Sequence, residues 1–405
     1  LVSEGYIEAQ PYRGYYVSKI EELVEVRQKS AGSFVLEKDW EEHRFEVDFS
    51  PRGIDLDSFP FNTWRKLSRN TLVDDNKEMF SAGNPQGELS LRIAVGEYLH
   101  SARGVDCSPD QILIGAGSEY LLMLLSQLLG KDAVIAMEDP TYRQAYRVLS
   151  GVGHKVLPVG IDKNGFCVKE LEDQTAQAAY VMPSHQFPTG IVMPVKRRQE
   201  LLSWAGELPG RYLIEDDYDS EFRYKGKPIP ALQGMDQTGS VVYMGTFSKA
   251  IAPAIRVGYM VLPESLLSVY RKKGRFYSST VSRVDQRILA NFISGGYFER
   301  HLNRMREIYK GKHDVLLGAL KPLEKRFEIK GEYAGLHVLL TDRKGEAEQA
   351  LLAKAEEKKV RVYGLSGFCM EERRAKESHT IVLGYAGLTE EEIRKGVELL
   401  REALE

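Results

Sequence analysis

From about residue 85 to residue 275 the chain alternates short β-branched runs with stretches of helical length, and this alternation limits what it can fold into. Parallel strands need a crossover of a dozen or more residues, which a helix supplies, so the pattern predicts a mostly parallel sheet covered on both faces. Ile112-Leu113-Ile114, Val134-Ile135-Ala136, Tyr212-Leu213-Ile214 and Val241-Val242-Tyr243 read as buried strands of that sheet. Sheets of this kind take ligands outside the carboxyl ends of their strands, so the residues after each run are the candidate site. Beyond them come a long amphipathic stretch from Ser282 to Leu320 and a smaller α+β unit. Its strands are expected at Tyr333–Leu340, Val360–Tyr363 and Thr380–Gly384, with a terminal helix from Glu390.

The residues at those strand ends carry a specific chemistry. Val241-Val242-Tyr243-Met244-Gly245 runs into Thr246-Phe247-Ser248-Lys249, and Arg256 follows seven positions after the lysine. A lone lysine beyond small hydroxylated residues suits a Schiff base with pyridoxal 5′-phosphate (PLP), with Thr246, Ser248 and Arg256 around the phosphate. The pyridine of PLP draws electrons only while its nitrogen is protonated, which asks for a carboxylate in a desolvated place. Asp216, in the acidic end of Tyr212-Leu213-Ile214-Glu215-Asp216-Asp217-Tyr218, supplies it, and Tyr218 is placed to donate to the ring's phenolic oxygen. Gly115-Ala116-Gly117-Ser118-Glu119 turns from strand into Glu119–Leu129, a helix so apolar on all sides that burial is expected. Free N–H groups and the positive dipole end favour an anion there, which makes Gly117, Ser118 and the Glu119 amide phosphate candidates. Glu138-Asp139-Pro140-Thr141-Tyr142 closes the Val134 strand in a proline turn and presents Tyr142 for stacking on the pyridine.

In chain order, Glu138-Asp139-Pro140-x-Tyr142, Pro183-Ser184-His185-Gln186-Phe187-Pro188-Thr189-Gly190, Glu215-Asp216-Asp217-Tyr218-Asp219-Ser220-Glu221-Phe222, Thr246-Phe247-Ser248-Lys249 and Arg256-x-Gly258-Tyr259 resemble fold-type I aminotransferases. More narrowly, they resemble the MocR/GabR subfamily of GntR-type transcription regulators. The likeness covers roughly residues 45–405. It implies an α/β fold with a large subdomain at about 85–280 and a small α+β subdomain at about 45–84 and 300–405. It also implies Lys249 as the lysine of the internal aldimine, Asp216 at the pyridine nitrogen and Tyr218 at the phenolic oxygen. Tyr142 then stacks on the ring, and Ser118, Glu119, Thr246, Ser248 and Arg256 surround the phosphate. A homodimer is implied too, since fold-type I sites are usually assembled between two subunits.

The N-terminus bears on whether such a chain is an enzyme or a regulator. Leu1 to Val17 reads as a helix end, a strand, a tight turn at Arg13-Gly14 and a second strand. It is similar to the wing hairpin of a GntR-type winged helix-turn-helix domain. On that reading residues 1–17 end a DNA-binding domain whose recognition helix lies outside this chain, 18–44 are a charged linker with room for a short helix, and 45–405 bind an effector.

Three departures from the enzymes' pattern touch substrate handling. Phe187 stands where the enzymes have an asparagine that donates to the phenolic oxygen, and phenylalanine donates nothing. Val382 stands where an arginine clamps the substrate α-carboxylate, and Ala82 replaces a tyrosine that reaches the neighbouring subunit's phosphate. Loss of a desolvated clamp removes several kcal/mol of binding to the charged group. The expectation is therefore a DNA-binding regulator that senses a small amino-group effector, with turnover slow or absent; a genuine aminotransferase acting on an amino acid is the alternative. Val382 points away from a plain amino acid and toward a D-Ala-D-Ala-like dipeptide or vitamin B6 itself.

Composition narrows the class further. A formal charge of −3 argues against a strongly nucleic-acid-binding surface on this portion. Cys107, Cys167 and Cys369 form no CxxC pair, which suits a reducing, cytoplasmic setting. The 8 histidines show no HExxH spacing, so no metal is expected. The chain also lacks an apolar run of the roughly 18 residues that a membrane span requires.

Overall fold

The computed structural model describes residues 1–18, 45–72, 77–172, 175–224, 229–331 and 334–405, in two compact units, Leu1–Arg44 and Phe45–Glu405. The linker expected at 18–44 lies, past Ser18, outside the described residues, as does Tyr333. In the N-terminal unit β1 (Ile7–Gln10) and β2 (Gly14–Val17) form an antiparallel hairpin, with Ile7 opposite Val17 and Gln10 opposite Gly14. The turn comes earlier than expected. Pro11, Tyr12 and Arg13 make it, Tyr12 taking φ +64°, and Gly14 already opens the second strand. Leu1 to Gly5 forms turns, with Gly5 N–H on the Val2 carbonyl at 3.1 Å, where a helix end was expected.

The larger unit opens with β3 (Val47–Asp48) and then builds its main sheet from β4 (Ile112–Gly115), β5 (Val134–Asp139), β6 (Lys155–Asp162), β7 (Gly165–Phe166), β8 (Ala178–Val181), β9 (Tyr212–Asp217), β10 (Val241–Thr246) and β11 (Gly258–Val261). Their spatial order is β4-β11-β10-β9-β8-β5-β6-β7. From β10 to β6 all neighbours are parallel, and β11 runs antiparallel between β4 and β10. Alternation along the strands feeds two cores. Ile112, Ile114, Tyr243 and Tyr259 face Leu91, Val95 and Leu99 of the helix Leu89–Arg103. Leu113, Val242, Met244 and Met260 face Leu121, Leu122 and Leu125 of the helix Ser118–Leu129. That second helix is buried over most of its surface, as its composition requires, but Met123 is 47% exposed and marks one strip open to solvent.

The C-terminal part adds β12 (Phe327–Lys330), β13 (His337–Asp342), β14 (Val360–Arg361), β15 (Tyr363–Gly364) and β16 (Thr380–Gly384). β12, β13, β16 and β15 make an antiparallel sheet in that order, while β14 pairs with β3 in parallel. The helix Glu390–Leu404 begins where expected, under a Thr389 and Glu392 capping box. Other expectations change. The stretch Ser282–Leu320 is two helices, Arg283–Ser294 and Tyr297–Leu320, parted at Gly295 and at Gly296 with φ +68°. The strand expected from Tyr333 starts at His337, β12 was not anticipated, and Val360–Tyr363 divides between two partners. At Gly384 a Cβ would stand 2.2 Å from the Ser50 carbonyl, so its absence lets residues 50–53 lie against the end of β16. Among the described residues no helix is long and apolar enough to cross a membrane.

Candidate cofactor site

Three consecutive acids end β9, and the two-residue period of a strand sorts them. Glu215 accepts the Leu232 and Gln233 N–H groups at 2.7 and 2.9 Å. Asp217 accepts from Arg103 Nε at 2.8 Å and from the Tyr243 hydroxyl at 2.6 Å. Asp216, on the other face, lines a cavity and takes a hydrogen bond from the buried Tyr180 hydroxyl. Burial pushes its carboxyl up to about 6, and Asp217 and Asp219 add to the rise while the Tyr180 bond opposes it. A desolvated carboxylate whose bonded partner is a neutral phenol is a ready acceptor for a cationic N–H.

β10 lies beside β9 with Met244 opposite Asp216, and the turn after it carries Lys249 to the same cavity. Lys249 Nζ donates to the Pro51 carbonyl at 2.9 Å and, more weakly, to that of Gly53 at 3.5 Å. Burial pulls its ammonium down to about 8; Asp219 works against that shift, and the Arg52 guanidinium reinforces it. A lysine so placed has a useful fraction of free amine near neutral pH, which capture of a carbonyl requires.

The cavity, of about 280 Å³, is lined by nine of the ten candidates read from the sequence: Ser118, Glu119, Tyr142, Asp216, Tyr218, Thr246, Ser248, Lys249 and Arg256. Gly117 stands just behind it. At φ +90°, a Cβ there would lie 2.6 Å from an Arg256 guanidinium nitrogen, so glycine makes room for the arginine. Arg256 Nη2 donates to Glu119 at 2.8 Å and to the Ala116 carbonyl at 3.3 Å. Burial resists ionisation of Glu119, but Arg256, a backbone N–H and Arg52 together outweigh it and hold the carboxyl below its ordinary range. Tyr142 meets Phe187 edge-on with centroids 6.0 Å apart, and Phe187 in turn meets Tyr218 at 5.8 Å and Phe368 at 5.1 Å, making an aromatic wall. The Tyr218 hydroxyl lies 2.9 Å from His185 Nδ1, which is also 2.9 Å from an Asp219 oxygen.

Sequence reasoning did not single out Pro51, Arg52, Tyr180, Arg143 or Phe368. Pro51 lies 198 positions from the lysine that its carbonyl accepts from, and no local pattern encodes that contact. The assembled groups fit PLP: an uncompensated carboxylate for a pyridinium, an amine for the aldehyde, and a helix N-terminus with Ser118, Thr246, Ser248 and Arg256 for the phosphate.

Comparison with known proteins agrees with that fit. The family profile for class I and II aminotransferases matches residues 55–400. Over 404 residues the chain is 37% identical to the HTH-type transcriptional regulator YdeL of Bacillus subtilis, a match spanning 100% of this chain and 86% of that one. It is 31% identical to the probable rhizopine catabolism regulatory protein MocR of Rhizobium meliloti over 359 residues, covering 88% of this chain and 72% of that one. Among solved structures, the multiple substrate aminotransferase of Thermococcus profundus superposes with a TM-score of 0.78 at 25% identity, over 88% of this chain and 91% of that one.

Proposed function

The chain belongs to the MocR-type HTH transcriptional regulators, which carry a class I and II aminotransferase domain, and from that premise we propose that it is the PLP-holding, effector-sensing body of such a regulator. When bound, PLP supplies an aldehyde that captures amino groups and an electron-poor ring whose absorbance reports the capture. Lys249 holds that aldehyde. Asp216 keeps the ring nitrogen protonated, Tyr218 donates to the phenolic oxygen, and Tyr142 stacks on the ring. The Ser118 and Glu119 amides, Gly117, Thr246, Ser248 and Arg256 hold the phosphate. Residues 45–405 form the sensing unit, with a large part at about 85–280 and a small part from about 45–84 and 300–405. The hairpin within residues 1–17 is the wing of a winged-helix unit that binds DNA, and the working assembly is a cytoplasmic homodimer.

The convergence of amine, carboxylate and arginine on one cavity of about 280 Å³ carries this reading. Val382 favours sensing over turnover, being fully buried in β16 with no charge to offer a substrate carboxylate. The test is an absorbance screen of PLP-loaded protein against amines, amino acids and small D-peptides. A D-Ala-D-Ala-like dipeptide is one expected effector class, and vitamin B6 itself, tested by PLP titration, is the other. The expected result is a spectral shift with one class, a matching change in operator binding by the full-length regulator, and only trace keto product. Turnover at ordinary enzymatic rates, about 1–1000 per second, would instead establish an aminotransferase.

A further inference from the structure

We propose that Arg52 reads an acidic group on the effector, in place of the arginine that Val382 replaces, so that the effector is an amino compound carrying a carboxylate, as the dipeptide class does and vitamin B6 does not. The inference rests on the PLP reading above and deepens it. Arg52 sits between Pro51 and Gly53, whose carbonyls both accept from Lys249 Nζ, at 2.9 and 3.5 Å. The backbone of Arg52 is thereby tied to the amine at which an effector's nitrogen would be exchanged. Arg52 lines the same cavity as Lys249 and Asp216, and its charge reaches Lys249, Glu119 and Tyr142.

The cavity's other two arginines already have partners, although Arg143 Nε has none. Arg256 is bonded to Glu119 at 2.8 Å, while Arg143 donates to the Cys369 carbonyl at 2.8 Å and lies over the Tyr146 ring at 5.2 Å. Among the described residues no group forms a hydrogen bond or ion pair with the Arg52 guanidinium, and the residue is exposed. A guanidinium presents a planar fork that matches a carboxylate with two parallel bonds. At the position of the enzymes' clamp, Val382 is fully buried and aligned with Leu339 and Tyr363 in the small sheet.

The experiment titrates PLP-loaded protein with D-Ala-D-Ala, D-alanine and 4-aminobutyrate, each against the amine that lacks its carboxylate: N-ethyl-D-alaninamide for the dipeptide, ethylamine for D-alanine and propylamine for 4-aminobutyrate. The readout is the acid-to-amine affinity ratio from the absorbance shift. The wild type is expected to prefer at least one acid by tenfold or more, Arg52→Ala to bring that ratio close to one, and Arg52→Lys to restore part of it. Equal affinities in the wild type, or a ratio that survives Arg52→Ala, would overturn the assignment. Failure of the PLP reading is separately visible, because protein that takes up no PLP shows no band to shift.

Discussion

Asp216 and Lys249 face one cavity with their charged forms disfavoured by burial, one carboxyl pushed up to about 6 and one ammonium pulled down to about 8. Each costs stability in the protein without cofactor, and each cost becomes useful once a pyridinium and an aldehyde arrive. The sign for Asp216 is definite. A carboxyl that titrates higher folded than unfolded costs nothing below the ordinary value of about 4, and the penalty grows as pH rises through about 6. Asp216→Asn keeps an acceptor for Tyr180 and removes the charge. Cofactor-free Asp216→Asn is therefore expected to be more stable than wild type at pH 7 by on the order of 1–3 kcal/mol, with the gain vanishing below about pH 4. The same variant binds PLP at least tenfold more weakly. Urea melts at the two pH values and a PLP titration check both halves; a variant equally stable at pH 7 would contradict the burial argument.

At the scale of elements, the site is a set of strand ends held level by register, closed by a segment from far away in sequence. Asp216 lies at the end of β9, and Lys249, Tyr142 and Ser118 follow β10, β5 and β4; each was legible because a strand and the polar residues at or after its end form one local pattern. The lid formed by residues 50–53 was not. Its place depends on Gly384, two residues after Val382 and on the last position of β16. Gly384→Ala sets a methyl group 2.2 Å from the Ser50 carbonyl and 2.4 Å from Pro51 Cα, so this backbone contact must shift, and with it the Pro51 carbonyl to which Lys249 donates. Overpacking of this kind typically costs about 1–3 kcal/mol. The expected outcome is a lower urea midpoint together with a lysine that titrates differently by PLP capture against pH. An unchanged capture profile would show that Pro51 and Arg52 do not depend on β16 for their place. The small unit was only partly legible for a related reason: β14 and β15 are two-residue strands, too short for a period to appear, and their partners β3 and β16 lie on either side of them in sequence. The break at Gly295 and Gly296 interrupts a helical stretch whose apolar spacing otherwise reads as continuous.

On the scale of the whole chain, an aminotransferase architecture gathers the proposed cofactor groups in one cavity, while Val382, where the resemblance implies a carboxylate clamp, is aliphatic and buried. The proposed sensor needs its amine to remain exchangeable, and burial, which pulls the Lys249 ammonium down to about 8, favours that. Borohydride reduction of the PLP-treated protein, followed by peptide mass mapping, probes the single bond on which the sensing reading depends. The expected product is a pyridoxyl phosphate attached to the peptide that contains Lys249, and none after Lys249→Ala. Attachment at a different lysine, or none at all, would contradict that reading.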